Sequence, residues 1–179
     1  MARKHYSISL SALILIFSGA CSRSVGDGSE PIDFIASFDS GRISPDTTFG
    51  TPTGKPALVI RRFPVGDERR DALVTLATGK IEFDIATVPP EATLTFALGM
   101  NSNAGDGADG IVLIEADGEK ETVYKKYLNP VGQPEDRRWF EETVDLSKYQ
   151  GKRVKLTFTT GPHGNAIADW IAWANPRLE

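Results

Sequence analysis

Between Lys80 and Ala86 the chain alternates. Ile81, Phe83 and Ile85 fall on one side, and Glu82 and Asp84 on the other. The same period runs through Ala92–Leu98, where Thr93 and Thr95 interleave with Leu94, Phe96 and Leu98. In Arg153–Thr159, Val154, Leu156 and Phe158 oppose Lys155, Thr157 and Thr159. A period of two puts successive side chains on opposite faces of extended backbone, so each segment reads as a strand with one buried face. Further strands are predicted at Ile32–Phe38, Ala57–Phe63, Gly110–Ala116, Glu121–Leu128, Trp139–Leu146 and Ala166–Ala174. Asp117-Gly118 between two such runs is a hairpin signal. Pro89-Pro90, Asn129-Pro130 and Gly161-Pro162 mark loops. Glu68–Ala77 is ambiguous, with room for one helical turn or two, and no long amphipathic helix is evident elsewhere. Many short strands punctuated by Gly and Pro predict an all-β antiparallel sandwich or barrel.

The pattern is different at the start of the chain. Arg3, Lys4 and His5 precede an apolar run, Leu10–Phe17, and Ser18-Gly19-Ala20 lead to Cys21, the single cysteine. Basic, apolar, then small is the order of an export signal. The apolar run is too short to span a bilayer, which takes roughly 20 residues. Ser18-Gly19-Ala20-Cys21 resembles the lipobox of bacterial lipoproteins. That resemblance implies cleavage before Cys21 and a thioether to diacylglycerol there, so that Cys21 joins the protein to membrane lipid. Position 18 is Ser where the family usually has Leu. Ser18 and Ala20 also satisfy ordinary signal cleavage, which leaves free secretion as the alternative. Residue 22 is Ser and not Asp, and by resemblance to enterobacterial sorting this favours the outer membrane. The expected organisation is a signal over 1–20, a lipidated Cys and polar tether over 21–30, and one domain over 31–179.

Composition narrows the function classes. The chain has 179 residues, a formal net charge of −4 and two histidines. A domain near 150 residues buries roughly 70% of its unfolded surface, enough for a self-sufficient core. Beyond Cys21 there is no cysteine, which excludes disulfides and thiol catalysis from the domain. Removal of Arg3 and Lys4 with the signal leaves the domain more acidic still. Its overall field therefore does not attract nucleic acid. Arg61-Arg62, Arg69-Arg70 and Arg137-Arg138 read as solvated rims.

The C-terminal half carries a second resemblance. Asp136-Arg137-Arg138-Trp139 leads a strand ending Val144-Asp145-Leu146. Ser147-Lys148-Tyr149-Gln150-Gly151 follows, then Val154–Phe158, and finally Ala168-Asp169-Trp170 with Asn175-Pro176-Arg177. This order resembles bacterial jelly-roll domains of the galactose-binding-like superfamily, including modules akin to the NPCBM type of carbohydrate-binding domain. The resemblance covers roughly Leu58–Leu178, most strongly from Asp109 onward. It implies a jelly-roll sandwich of about eight to ten antiparallel strands. Such domains are often appended to enzymes or envelope proteins, and the resemblance implies a role in binding sugars, binding calcium or packing against neighbours. In such domains structural calcium often lies between the N-terminal and last strands, which points to Asp39 and Asp169. Fold alone does not transfer an activity.

The candidate chemistry is sparse. His163, in Gly161-Pro162-His163-Gly164-Asn165, is the one histidine past the signal, and no Gly-x-Ser-x-Gly elbow accompanies it. Zinc needs three or four strong ligands, which one His without Cys does not supply. A pair of carboxylates could serve a glycosidase, but no spacing singles one out. The expectation is a non-enzyme that requires no cofactor. Asn101–Gly110 is the most polar loop, and its oxygens suit calcium. Asp106 and Asp109 thus join Asp39 and Asp169 as candidate ligands of a structural calcium. Trp139, Tyr124 and Tyr127 are candidate stacking surfaces for a sugar ring, with Arg138, Asn101, Asn103, His163 and Asn165 to bind hydroxyls. Trp170 and Trp173 read as core. The leading expectation is a lipid-anchored, non-catalytic envelope domain with a glycan or another envelope component as partner. The alternatives are an assembly lipoprotein docked on a protein and an accessory domain of an envelope hydrolase.

Overall fold

The computed structural model describes residues 25, 30–44, 57–101, 104–164 and 166–179. The expected signal, Cys21 and the tether, apart from Val25 and Glu30, lie outside the described residues, as do Asn103 and Asn165. The described residues form eleven strands and three short 3-10 turns. The strands are β1 (Ile32–Asp33), β2 (Arg42–Ser44), β3 (Ala57–Val65), β4 (Glu68–Leu76), β5 (Lys80–Ile85), β6 (Thr93–Met100), β7 (Ala108–Ala116), β8 (Glu119–Leu128), β9 (Phe140–Asp145), β10 (Val154–Pro162) and β11 (Trp170–Leu178). One sheet has the order β3-β4-β11-β6-β9, with β1 paired to the end of β11, and the other has the order β2-β5-β10-β7-β8. Every pairing between these strands is antiparallel.

The alternating residues meet between the sheets. Phe83 of β5, Phe158 of β10 and Trp173 of β11 are fully buried there with Phe34. Their rings touch edge to face or tilted, Phe34 to Phe83 at 4.9 Å and Phe158 to Trp173 at 5.2 Å between centroids. Such pairs add to the roughly 1.5–3 kcal/mol that burial of each large apolar side chain contributes. One polar knot crosses the core. Trp173 Nε1 donates to Thr75 Oγ1 at 3.0 Å, and Thr75 Oγ1 lies 2.7 Å from Thr160 Oγ1. Thr160 Oγ1 also donates to the Thr75 carbonyl at 2.8 Å. These bonds tie β4 of one sheet to β10 of the other.

Three expectations are corrected. Glu68–Leu76 is a strand and not helical turns, and its period is hidden because both faces of its second half are buried. Leu73 faces the core between the sheets, while Ala72 and Val74 lie in a second apolar cluster on the outer face. Ile32–Phe38 is extended only at Ile32–Asp33, because Asp33 Oδ1 accepts bonds from the Ile35 and Ala36 backbone and turns the chain. The last strand starts at Trp170 and continues past Asn175-Pro176 through a register shift.

Candidate functional site

Strand register brings four connections to one end of the sandwich. Leu76 at the end of β4 pairs with Trp170 at the start of β11, and Met100 at the end of β6 pairs with Ile171. Ala108 at the start of β7 pairs with both Pro162 of β10 and Leu128 of β8. The β4–β5, β6–β7, β8–β9 and β10–β11 connections therefore share this end.

Trp170 opens a recess there. Alternation along β11 sends Ile171 and Trp173 into the core and Trp170 and Ala172 to the outer face of the six-stranded sheet. Trp170 is half-buried, and with Leu76, Ala77 and Thr78 on one side and Ala166, Ile167 and Ala168 on the other it lines a cavity of about 600 Å³. Ile167 is 64% exposed, one of the two large apolar side chains so exposed among the described residues. The lining is one aromatic residue, five aliphatic residues and Thr78.

An acidic cluster sits on the same connections. Asp169, one residue before Trp170, is 0% exposed, and neither of its carboxylate oxygens has a hydrogen-bond partner among the described residues. Asp106 Oδ1 is likewise buried and unpartnered. Burial and then the like charge of Asp106 push the Asp169 carboxyl up to about 6, while His163 pulls it down. Asp109 is buried but satisfied: Lys125 Nζ lies 3.0 Å from its Oδ2, and His163 Nε2 lies 3.1 Å from the same oxygen. The Tyr127 hydroxyl donates to the Asp106 carbonyl, and its ring packs on His163 at 4.4 Å. Among the described residues, no three His, Cys, Asp or Glu side chains converge as a metal site.

The other sequence candidates fall elsewhere. Trp139 is only 7% exposed. Its ring packs edge-on to Phe63 at 6.4 Å under the Arg70 guanidinium, 5.5 Å from the ring centroid. It lies close over Gly99, where a Cβ would stand 2.8 Å from the indole, so it covers the outer face of the sheet. Arg138 sits over the Phe140 ring at 4.6 Å. Tyr124 packs edge-on to Phe96, and burial followed by the neighbouring Glu142 raises its phenol well above the usual range. Asn101 is exposed at the end of β6. Asp39 is exposed in the 3-10 turn Phe38–Ser40 that follows β1, and β1 pairs with the opposite end of β11. Of the four candidate calcium ligands, the structure brings Asp106 and Asp169 together and ties Asp109 to its own partners. Trp170, expected to be core, is half-buried against the outer apolar cluster and also lines the recess.

No known protein-family model matches the chain. An uncharacterized protein of Archaeoglobus fulgidus is 33% identical over 128 residues, which is 68% of this chain and 30% of that protein. The chain thus spans about a third of the length of that relative. Solved structures similar in fold include the following two. TmCBM61, in complex with beta-1,4-galactotriose, has a TM-score of 0.53 at 14% identity, covering 82% of this chain and 93% of that one. The CBM22-1 and GH10 modules of Clostridium thermocellum xylanase 10B, complexed with xylohexaose, have a TM-score of 0.51 at 9% identity, covering 82% of this chain and 26% of that one. At these identities the likeness establishes the fold, an antiparallel jelly-roll sandwich as expected, with eleven strands among the described residues in place of eight to ten.

Proposed function

We propose that this chain is an exported, lipid-anchored, non-catalytic domain that binds carbohydrate in the recess beside Trp170. The observation that carries the reading is a partly buried tryptophan lining a recess of about 600 Å³ at the loop end of the sandwich. A pyranose ring presents an apolar C–H face to such an indole and hydroxyls to its rim. Thr78 and the carbonyls of the flanking connections offer the polar partners. The fold supports the reading, because similar structures include modules complexed with galactotriose and xylohexaose. His163 is held by an aspartate already paired with lysine, and no nucleophile elbow stands in the sequence, which favours binding over hydrolysis.

The anchor rests on the sequence. Met1–Cys21 has the order of a lipoprotein signal, and the single cysteine stands where lipidation needs it. Two or more acyl chains on Cys21 would hold the domain at the envelope, since each buried methylene contributes about 0.8 kcal/mol. Titration of the purified protein against beta-1,4-galactan, xylan and cell-wall glycans tests the binding reading. Saturable binding to one of them is expected, and no binding to any of them would defeat it. Membrane fractionation of Cys21→Ala tests the anchor. The variant should leave the membrane fraction, and full retention would refute lipidation at Cys21.

A further inference from the structure

Asp106 and Asp169 approach each other from two separate connections. Gly164, in the β10–β11 connection, has a φ of +63°, and a Cβ added there would run into Asp106 Oδ2. Gly105, in the β6–β7 connection, faces the other way, and a Cβ there would stand 3.5 Å from Asp169 Oδ1. Each carboxylate thus abuts the backbone of the opposite connection. Three of their four oxygens, Asp106 Oδ1 and both of Asp169, are buried with no hydrogen-bond partner among the described residues. Two facing carboxylates without compensation are costly to bury.

The nearby nitrogen donors form no hydrogen bond or ion pair with these three oxygens. Lys125 and His163 both point to Asp109 Oδ2, at 3.0 and 3.1 Å. The Tyr127 hydroxyl donates to the Asp106 main-chain carbonyl and not to its carboxylate. We propose that Asp106 and Asp169 bind a divalent cation, calcium, between the β6–β7 and β10–β11 connections. The donors are hard oxygens, with no thiolate, and the one imidazole is engaged elsewhere. Zinc prefers nitrogen and sulfur, and magnesium demands a near-ideal octahedron. Calcium takes six to eight oxygens in irregular geometry, which suits two carboxylates from loops completed by main-chain carbonyls and water. No third carboxylate joins the pair among the described residues, so the proposed site requires neutral oxygens for the rest of its shell. The site stands independently of the carbohydrate reading.

The test is calorimetric titration of calcium chloride alone into the chelator-stripped protein near neutral pH, with thermal unfolding followed in parallel. One saturable site per chain is expected, together with a higher midpoint in calcium. Asp106→Asn and Asp169→Asn should each weaken binding about tenfold or more. Asp169→Asn also removes a buried charge, so its metal-free form should be folded and melt no lower than wild type, which separates lost ligation from lost structure. Asp39→Asn, on the exposed N-terminal turn, should bind as wild type does. Absence of both heat and thermal shift in the wild type would overturn the site. So would calcium affinity unchanged in the two ligand variants, or lost in Asp39→Asn.

Discussion

Asp169 is fully buried beside a second carboxylate, and that placement sets how it titrates. Its carboxyl is pushed up to about 6 in the folded chain, against about 4 when unfolded. Between those values the folded state keeps a proton that the unfolded chain has lost, so stability falls as pH rises through the window. Metal-free wild-type protein should therefore melt lower at pH 7 than at pH 5, and Asp169→Asn should shrink that difference. Thermal scans at the two values check it. The opposite sign applies to Asp71, Glu121 and Asp145, whose carboxyls are held down by hydrogen bonds from Arg61, Lys148 and Ser147 respectively. Their contribution is lost only as pH falls below about 4. Gly99 makes a second residue-scale prediction. A Cβ there would stand 2.8 Å from both the Trp139 ring and Val65 Cγ2, so Gly99→Ala should destabilise by about 1–3 kcal/mol in denaturant titration. The acidic loop was legible in the sequence because Asn, Asp and Gly stand out as oxygen donors and turn residues. Trp170 was not, because alternation reports which face a side chain takes and not whether anything covers that face.

At the scale of elements, period two located the one-sided strands and was weak where both faces are buried, leaving β4 ambiguous while β11 was still placed as a strand over Ala166–Ala174. β5 and β10 alternate visibly, since their outward residues are polar. β4 and β11 do not, because Ala72, Val74, Ala172 and Ala174 lie under Trp139, Phe63 and Val65 in the outer cluster. The Asp117-Gly118 hairpin was readable, and both residues take the positive φ that a tight turn uses. The knot of Thr75, Thr160 and Trp173 could not be read from spacing, since β4 and β10 meet only once the sheets are stacked. Thr75→Val would leave Trp173 Nε1 and the Thr160 hydroxyl short of a buried partner. The expected loss is about 1–3 kcal/mol in unfolding free energy, measured by chemical denaturation. Thr75→Ser, which keeps the hydroxyl, should recover much of it.

At the scale of the molecule, the all-β class followed from many short strands and the absence of helical periodicity. The order of strands in the two sheets did not, because it is fixed by pairings between residues far apart in sequence, such as Ile32 with Leu178. The sandwich places a rigid sheet edge under four connections, and the recess beside Trp170 lies among them. The central claim is that this recess binds carbohydrate. A single calorimetric comparison tests it most directly: wild type and Trp170→Ala, each titrated with whichever of beta-1,4-galactan or xylan the wild type binds. Trp170 packs at the edge of the outer apolar cluster and not between the sheets, so Trp170→Ala should melt lower than wild type but still fold, as a cooperative thermal transition checks, and lose saturable binding. By analogy with bases stacked on aromatic side chains, which contribute about 1–3 kcal/mol each, the expected loss is at least about fivefold in affinity. Binding by Trp170→Ala equal to that of wild type would contradict the assignment of the recess.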